Sequence, residues 1–185
     1  MLPGMLIGIS NLNQIIIQGL GFLALLFVIL SFQKKERTRL LAIMLAGLLL
    51  FVVHFSLLHA WTGALMNLIE AGVVFVSYKS ETAAWAKKSF WPYFFIALYI
   101  IFGFLIYKNP SDLLPIIAQS FGAIATWQKN QRALRFIMLL PRPLWFIYNF
   151  IVGSYAGMVT EVLILISVIV GIVRFDILYR VDNKN

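Results

Sequence analysis

The chain has 185 residues, 62% of them hydrophobic with aromatics included and only 12% charged, giving a mean hydropathy of +0.92. Soluble domains run at about 45–50% apolar and about 25% charged, so a cytosolic domain and a disordered tail are both excluded. The absence of cysteine rules out a disulfide scaffold, thiolate metal sites and CxxC redox chemistry, and a formal charge of +8 in so apolar a chain reports membrane topology rather than nucleic-acid binding.

A spanning helix needs about 17–25 mostly apolar residues, and seven such runs are legible: 12–32, 40–58, 63–79, 90–107, 111–127, 134–152 and 157–175. The first is read as a retained helix, since no Lys or Arg precedes Lys34 and no small-residue cleavage site follows. HAWTG after the second run and SYAG after the sixth carry no charge and predict tight helical hairpins. Between the fourth and fifth runs, NPSDLLP ends one helix at Pro110 and begins another, with Ser111 or Asp112 expected to cap it. Within the sixth run, Pro141 and Pro143 flank Arg142 and predict a kink, because neither proline has an N–H to donate.

Charge sets the orientation. Lys34, Lys35, Arg37 and Arg39 follow the first run, and Lys79, Lys87 and Lys88 the third. Lys129, Arg132 and Arg135 follow the fifth, and Arg174, Arg180 and Lys184 the seventh. Thirteen of the fifteen basic residues thus fall on one side, with Lys108 opposite and Arg142 inside a helix. The positive-inside rule then predicts an external amino terminus and a cytoplasmic carboxy terminus. The basic loops are expected to meet anionic lipid headgroups. Trp61, Trp85, Trp91 and Trp127 fall near the expected boundaries, as an aromatic belt requires.

The chain also repeats itself. FQKKER (32–37) matches WQKNQR (127–132), LLFVVHF (49–55) matches LWFIYNF (144–150), and after a one-residue slip TGALMNLIEAGVVFV (62–76) matches AGMVTEVLILISVIV (156–170). Helices 1–3 then correspond to helices 5–7 in the same orientation. The expected fold is two parallel three-helix repeats joined by a linker helix: a first bundle over 12–79, a loop and linker helix over 80–110, a second bundle over 111–175 and a cytoplasmic tail over 176–185. This 3+1+3 pattern resembles the SWEET and PQ-loop transporter architecture. Gln33 and Gln128 resemble the Gln of the PQ motif, although Phe32 and Trp127 stand where its Pro would be. The strings ILSFQKK, HAWTGALMNLI, LLPIIA, WQKN, PLWFIYNFIVGS and GIVRFDI resemble the bacterial inner-membrane family typified by YgjV. That resemblance implies topology and location, and no site residue is carried over from it.

Ionisable groups at bilayer depth cost about 3 kcal/mol on insertion scales, so each needs a partner or a wet cavity. Glu70 and Arg142 lie about 10 and 15 Å from the outer boundary, close enough in depth to form a gate or a substrate-orienting pair. The bland readings are a static ion pair, or an Arg142 that snorkels to the interface. Nearer the outside, His54 is repeat-equivalent to Asn149 and Asn67 to Glu161, which suggests a His54–Asn67 pair and an Asn149–Glu161 pair. These serve either as interhelical glue or as the rim of a ligand site. Trp145 and Tyr148 offer a stacking surface or interfacial anchors. Gln18, beside Gly19 and Gly21, either packs or lines a cavity, and packing is the default for Gln119. No motif for metal, phosphate or nucleophilic chemistry is present, so neither an enzyme nor a cofactor is expected. The expectation is a small-solute carrier in which two bundles rock about a midplane site. Its partners are the lipid bilayer and a small polar solute, with no nucleic acid, and a homo-oligomer is compatible with it. The alternative is a non-transporting receptor or scaffold subunit on the same fold.

Overall fold

The computed structural model of the protein describes residues 3–126 and 130–178. Trp127, Gln128 and Lys129, and in the tail Arg180 and Lys184, lie outside the described residues. Everything assigned within them is helical or connecting turn: α1 (Pro3–Phe32), α2 (Arg37–Leu57), α3 (Trp61–Lys79), α4 (Trp91–Leu105), α5 (Leu113–Thr126), α6 (Gln131–Met138), α7 (Pro141–Ile151) and α8 (Tyr155–Gly171). Among the described residues, three segments are long and apolar enough to cross a membrane, Asn13–Ser31, Arg37–Leu57 and Tyr155–Arg174, and α4 is a shorter apolar helix. Their exposed side chains are chiefly Leu, Ile, Val and Phe, the outward face that hydrocarbon rather than water would solvate.

Two compact units emerge. The first takes the chain through Lys87 together with the short stretch Val152–Ala156; the second takes Lys88–Ile151 and the chain from Gly157 onward. In the first, α2 packs along both α1 and α3, burying Ala24, Phe51, Phe55, Met66 and Val74. At one end, Arg37 at the start of α2 pairs with Glu81 just beyond α3 at 2.8 Å, so the 33–36 and 80–83 connections sit together, as expected for two loops on one side of a membrane. In the second unit α5 is the organiser, packing against α4, α6 and α7 around Phe95, Tyr99, Ile116, Trp145 and Tyr148.

The hairpins form where uncharged turns predict them. Residues 58–60 join α2 to α3, and residues 152–154 join α7 to α8. Each turn reverses through one left-handed residue, His59 (φ 56°) and Gly153 (φ 72°). In the first turn, the amides of His59 and Ala60 donate to the carbonyls of Ser56 and Phe55, which satisfies acceptors that a helix end leaves open.

The entry to α5 differs from expectation in its details. A single 3-10 turn, Pro110–Asp112, precedes it, with Asn109 rather than Ser111 or Asp112 at the N-cap position. Asp112 instead reaches back: its Oδ2 accepts from the amides of Lys108 (3.0 Å) and Asn109 (2.9 Å). Asp112→Ala is expected to cost about 1 kcal/mol, as loss of a capping carboxylate does. Asp112→Asn should retain part of that, measurable as a shift in the detergent-solubilised melting temperature.

The sixth run is where sequence and structure part most. In place of one kinked helix over 134–152 there are two, α6 and α7, separated by Leu139 and Leu140. With Pro141 and Pro143 unable to donate, the α6 ladder ends in short-range bonds from Leu139 and Leu140 to Phe136 and Ile137, and Pro141 starts a fresh helix at a position that suits it. Past Gly171, α8 widens into π-helical turns over Ile172–Leu178, a departure without any signal in the apolar pattern.

Candidate functional site

The polar interior of the second unit is built by α4, α5, α7 and α8. Arg142 stands on the first turn of α7, and its guanidinium Nη1 donates to Glu161 Oε2 at 2.9 Å. The two side chains are only 13% and 10% exposed. Glu161 is therefore a carboxylate that Arg142 engages. The reason lies in the connectivity. Arg142 is nine residues before the end of α7 and Glu161 six residues into α8, which puts them about 14 and 9 Å from the same turn. An arginine side chain spans that difference, and the three-residue turn places its partner next door. Glu70 lies half-buried on α3 in the first unit.

Further along α7, a hydrogen-bonded chain links three helices. Trp145 Nε1 donates to Gln119 Oε1 at 3.2 Å, and Gln119 Nε2 donates to the Tyr99 hydroxyl at 3.4 Å. Gln119 is thus a hub rather than plain packing. Tyr148 is buried edge-on against Trp145, with ring centroids 5.7 Å apart; both aromatics lie in the core, not at an interface. Asn149 is 1% exposed, and its Oδ1 has no hydrogen-bond partner; Arg142 Nε is likewise buried without one. The expected Asn149–Glu161 pair does not form: Asn149 lies two residues before the end of α7 and Glu161 six residues into α8, about 3 and 9 Å from the turn.

The first unit gathers its polar groups at the opposite end from the Arg37–Glu81 pair. His54 is fully buried between two partners: Nδ1 donates to the Ile17 carbonyl at 2.8 Å, and Nε2 lies 2.8 Å from Ser154 Oγ, from which the neutral ring accepts. Gln18 completes the grip on the 152–156 stretch. Its Nε2 donates to the Gly153 carbonyl at 2.7 Å and its Oε1 accepts from the Tyr155 amide at 3.1 Å. Gln18 is therefore a staple rather than the lining of a cavity. Asn67, expected beside His54, instead donates back along its own helix to the Gly63 carbonyl at 2.9 Å.

Ser154, Tyr99 and Gly21 carry parts of these networks that sequence reasoning missed. Ser154 and Tyr99 offered no signal beyond residue type. Gly21 did, as a small residue next to polar Gln18: a Cβ there would sit 2.7 Å from His54 Cε1 and 2.9 Å from the Ala156 Cβ, so only glycine admits the His54 ring.

Comparison with known proteins identifies the group to which these features belong. The model of the Imp-YgjV family, bacterial inner membrane proteins, matches residues 15–178, and the chain belongs to that family. It is 25% identical over 158 residues to the inner membrane protein YgjV of Escherichia coli (strain K12), covering 85% of this chain and 83% of that protein. No solved structure matches.

Proposed function

We propose that this bacterial inner-membrane protein is a small-solute carrier rather than an enzyme, with the polar interior of its second unit as the substrate site. One observation carries the reading: beside a buried ion pair, two buried polar atoms of opposite kind, Arg142 Nε and Asn149 Oδ1, are left without partners. Unsatisfied buried groups cost about 1–3 kcal/mol each and are uncommon. A transient occupant supplies a reason for keeping them. Trp145 and Tyr148 stand on the same helix between the two and give the site an apolar wall, the usual make-up of a small-molecule pocket.

The transport reading also takes seven crossings, two parallel three-helix repeats around a linker helix, and an external amino terminus. The left-handed residues His59 and Gly153 support it, since they are 94 positions apart, the same offset that aligns α3 with α8. Gln18 and His54 hold the α7–α8 turn within the same unit as the α2–α3 turn, which favours both turns on one side. The wild-type chain has no cysteine, so His59→Cys in intact cells should react with an impermeant maleimide. Gln33→Cys should react only after permeabilisation; the reverse pattern would overturn the orientation.

The receptor or scaffold reading is favoured by a different observation, the buried ion pair of Arg142 with Glu161, which is how a static bundle would hold them. Flux separates the two. Proteoliposomes holding purified protein should equilibrate a radiolabelled solute at least tenfold faster than empty vesicles, with Arg142→Ala at background. Equal rates across a panel of sugars, amino acids, organic acids and nucleosides would favour the scaffold.

A further inference from the structure

We infer that α6 and the π-helical end of α8 form a binding site for the headgroup of an anionic phospholipid, with Arg132, Arg135 and Arg174 as its cationic groups. The site lies within the second unit and stands whether or not the protein carries a solute.

Depth is the first argument. The apolar segment Tyr155–Arg174 has 20 residues, about 30 Å of helix, which matches the hydrocarbon thickness of a bilayer. Arg174, its last residue, therefore stands where hydrocarbon gives way to headgroups. α6 packs against the π-helical turns that follow Gly171, so it lies at the same level. Its eight residues make about 12 Å of helix, too short to cross. Arg132 and Arg135, three residues apart, share one face of it, and Leu134, Ile137 and Met138 fall on the opposite face. That is the make-up of an interfacial helix, and the break at Leu139–Leu140 separates it from the buried α7.

Local geometry gathers the cations. Asn130 Oδ1 accepts from the amides of Arg132 (2.9 Å) and Ala133 (3.4 Å), which fixes the first turn of α6. A Cβ on Gly171 would sit 3.2 Å from Arg135 Cδ, so the Arg135 stem lies across α8 three residues before Arg174. The Arg132 guanidinium stands over the Phe136 ring, 5.6 Å from its centroid. Stacking of this kind leaves the in-plane N–H groups of a guanidinium to donate to a phosphate.

Charge and apolarity together select the partner. Residues 130–138 and 171–178 carry three arginines against one carboxylate, Asp176, a net charge of +2. Arginine holds a phosphate through paired N–H···O bonds. Val173 and Ile177, on either side of Arg174, are exposed and offer a surface for acyl chains. A phosphodiester joined to acyl chains and carrying no ammonium meets both features. A soluble phosphate meets one, and the ammonium of phosphatidylethanolamine is repelled by the arginines.

Native mass spectrometry and melting of the full-length protein in mixed micelles test this, with dioleoylphosphatidylglycerol, dioleoylphosphatidylethanolamine and inorganic phosphate as probes. The most strongly retained phosphatidylglycerol should be held at least tenfold more tightly than phosphatidylethanolamine, should raise the melting temperature, and should resist displacement by millimolar phosphate. Arg132→Gln/Arg174→Gln changes two exposed side chains and should weaken that binding at least tenfold. Lys34→Gln/Lys35→Gln removes the same charge from a basic loop of the first unit and should change it less than twofold. Gly171→Val keeps every charge but pushes the Arg135 stem aside, and should weaken binding several-fold. Equal losses in the two charge variants would reduce the effect to general attraction by basic loops and overturn the site. Equal retention of the two lipids, displacement by phosphate, or unaltered binding in Gly171→Val would overturn it too. Should the double arginine variant fail to fold, Arg132→Gln alone should still weaken binding at least threefold, and no change there would count against the site in the same way.

Discussion

Glu161→Leu is expected to destabilise the protein by about 3–5 kcal/mol, the usual result of removing one member of a buried ion pair and leaving the other uncompensated. Arg142 is the stranded partner: its side chain is only 13% exposed and its Nε is already unsatisfied, so water does not readily replace the lost carboxylate. The double variant Arg142→Met/Glu161→Leu should recover most of the loss, because two apolar side chains of similar volume need no hydration. A double-mutant cycle on unfolding in mixed micelles measures this, and the coupling between the two sites should exceed about 1.5 kcal/mol. If each single variant costs under about 1 kcal/mol and the costs add, the pair behaves as a solvated surface pair, and the interior is wet at that depth.

The second large effect belongs to Gly21. A methyl there would sit 2.7 Å from a ring atom of His54 and 2.8 Å from another, and the ring cannot swing aside without breaking its bonds to Ile17 and Ser154. Gly21→Ala should therefore cost about 1–3 kcal/mol, the typical penalty for overpacking, and Gly21→Val more. The effect should be specific. In a Ser154→Cys background the thiol, buried against α1 and α2, should react slowly with an impermeant maleimide; Gly21→Ala or Gln18→Ala should speed labelling several-fold as the 152–156 stretch lifts. Unchanged labelling in both variants would show that the turn is held by something other than these side chains.

Much of the fold could be read because membrane helices announce themselves by apolar run length and by breakers. The α2–α3 and α7–α8 turns fell where charge vanished, and Pro110 ended a helix as its ring requires. The α6–α7 break was visible as two prolines, but the difference between a kink and a full interruption depends on which carbonyls find substitutes, and run length does not report that. The polar pairings were read less well. The Arg142–Glu161 bond went unread because depth leaves the partner open, and a neighbour across a three-residue turn carries no mark in the apolar pattern. His54 misled in a similar way. Its repeat position suggested Asn67, whereas its bonds run to a main-chain carbonyl on α1 and to a serine 100 residues away, partners that no periodicity marks.

The capture of Val152–Ala156 by α1 and α2 has a bearing on how the chain is made. A nascent chain that has passed Lys87 has every helix of the first unit but lacks the segment that satisfies Gln18 and His54, so those groups face lipid or one another until Tyr155 has left the ribosome. The first unit is therefore expected to mature late, after most of the second has been inserted. Separate expression of residues 1–87 should give a fragment that is inserted but readily proteolysed, and co-expression of residues 88–185 should protect it. The amino-terminal half would then owe its final stability to a five-residue stretch that the ribosome delivers last but one helix.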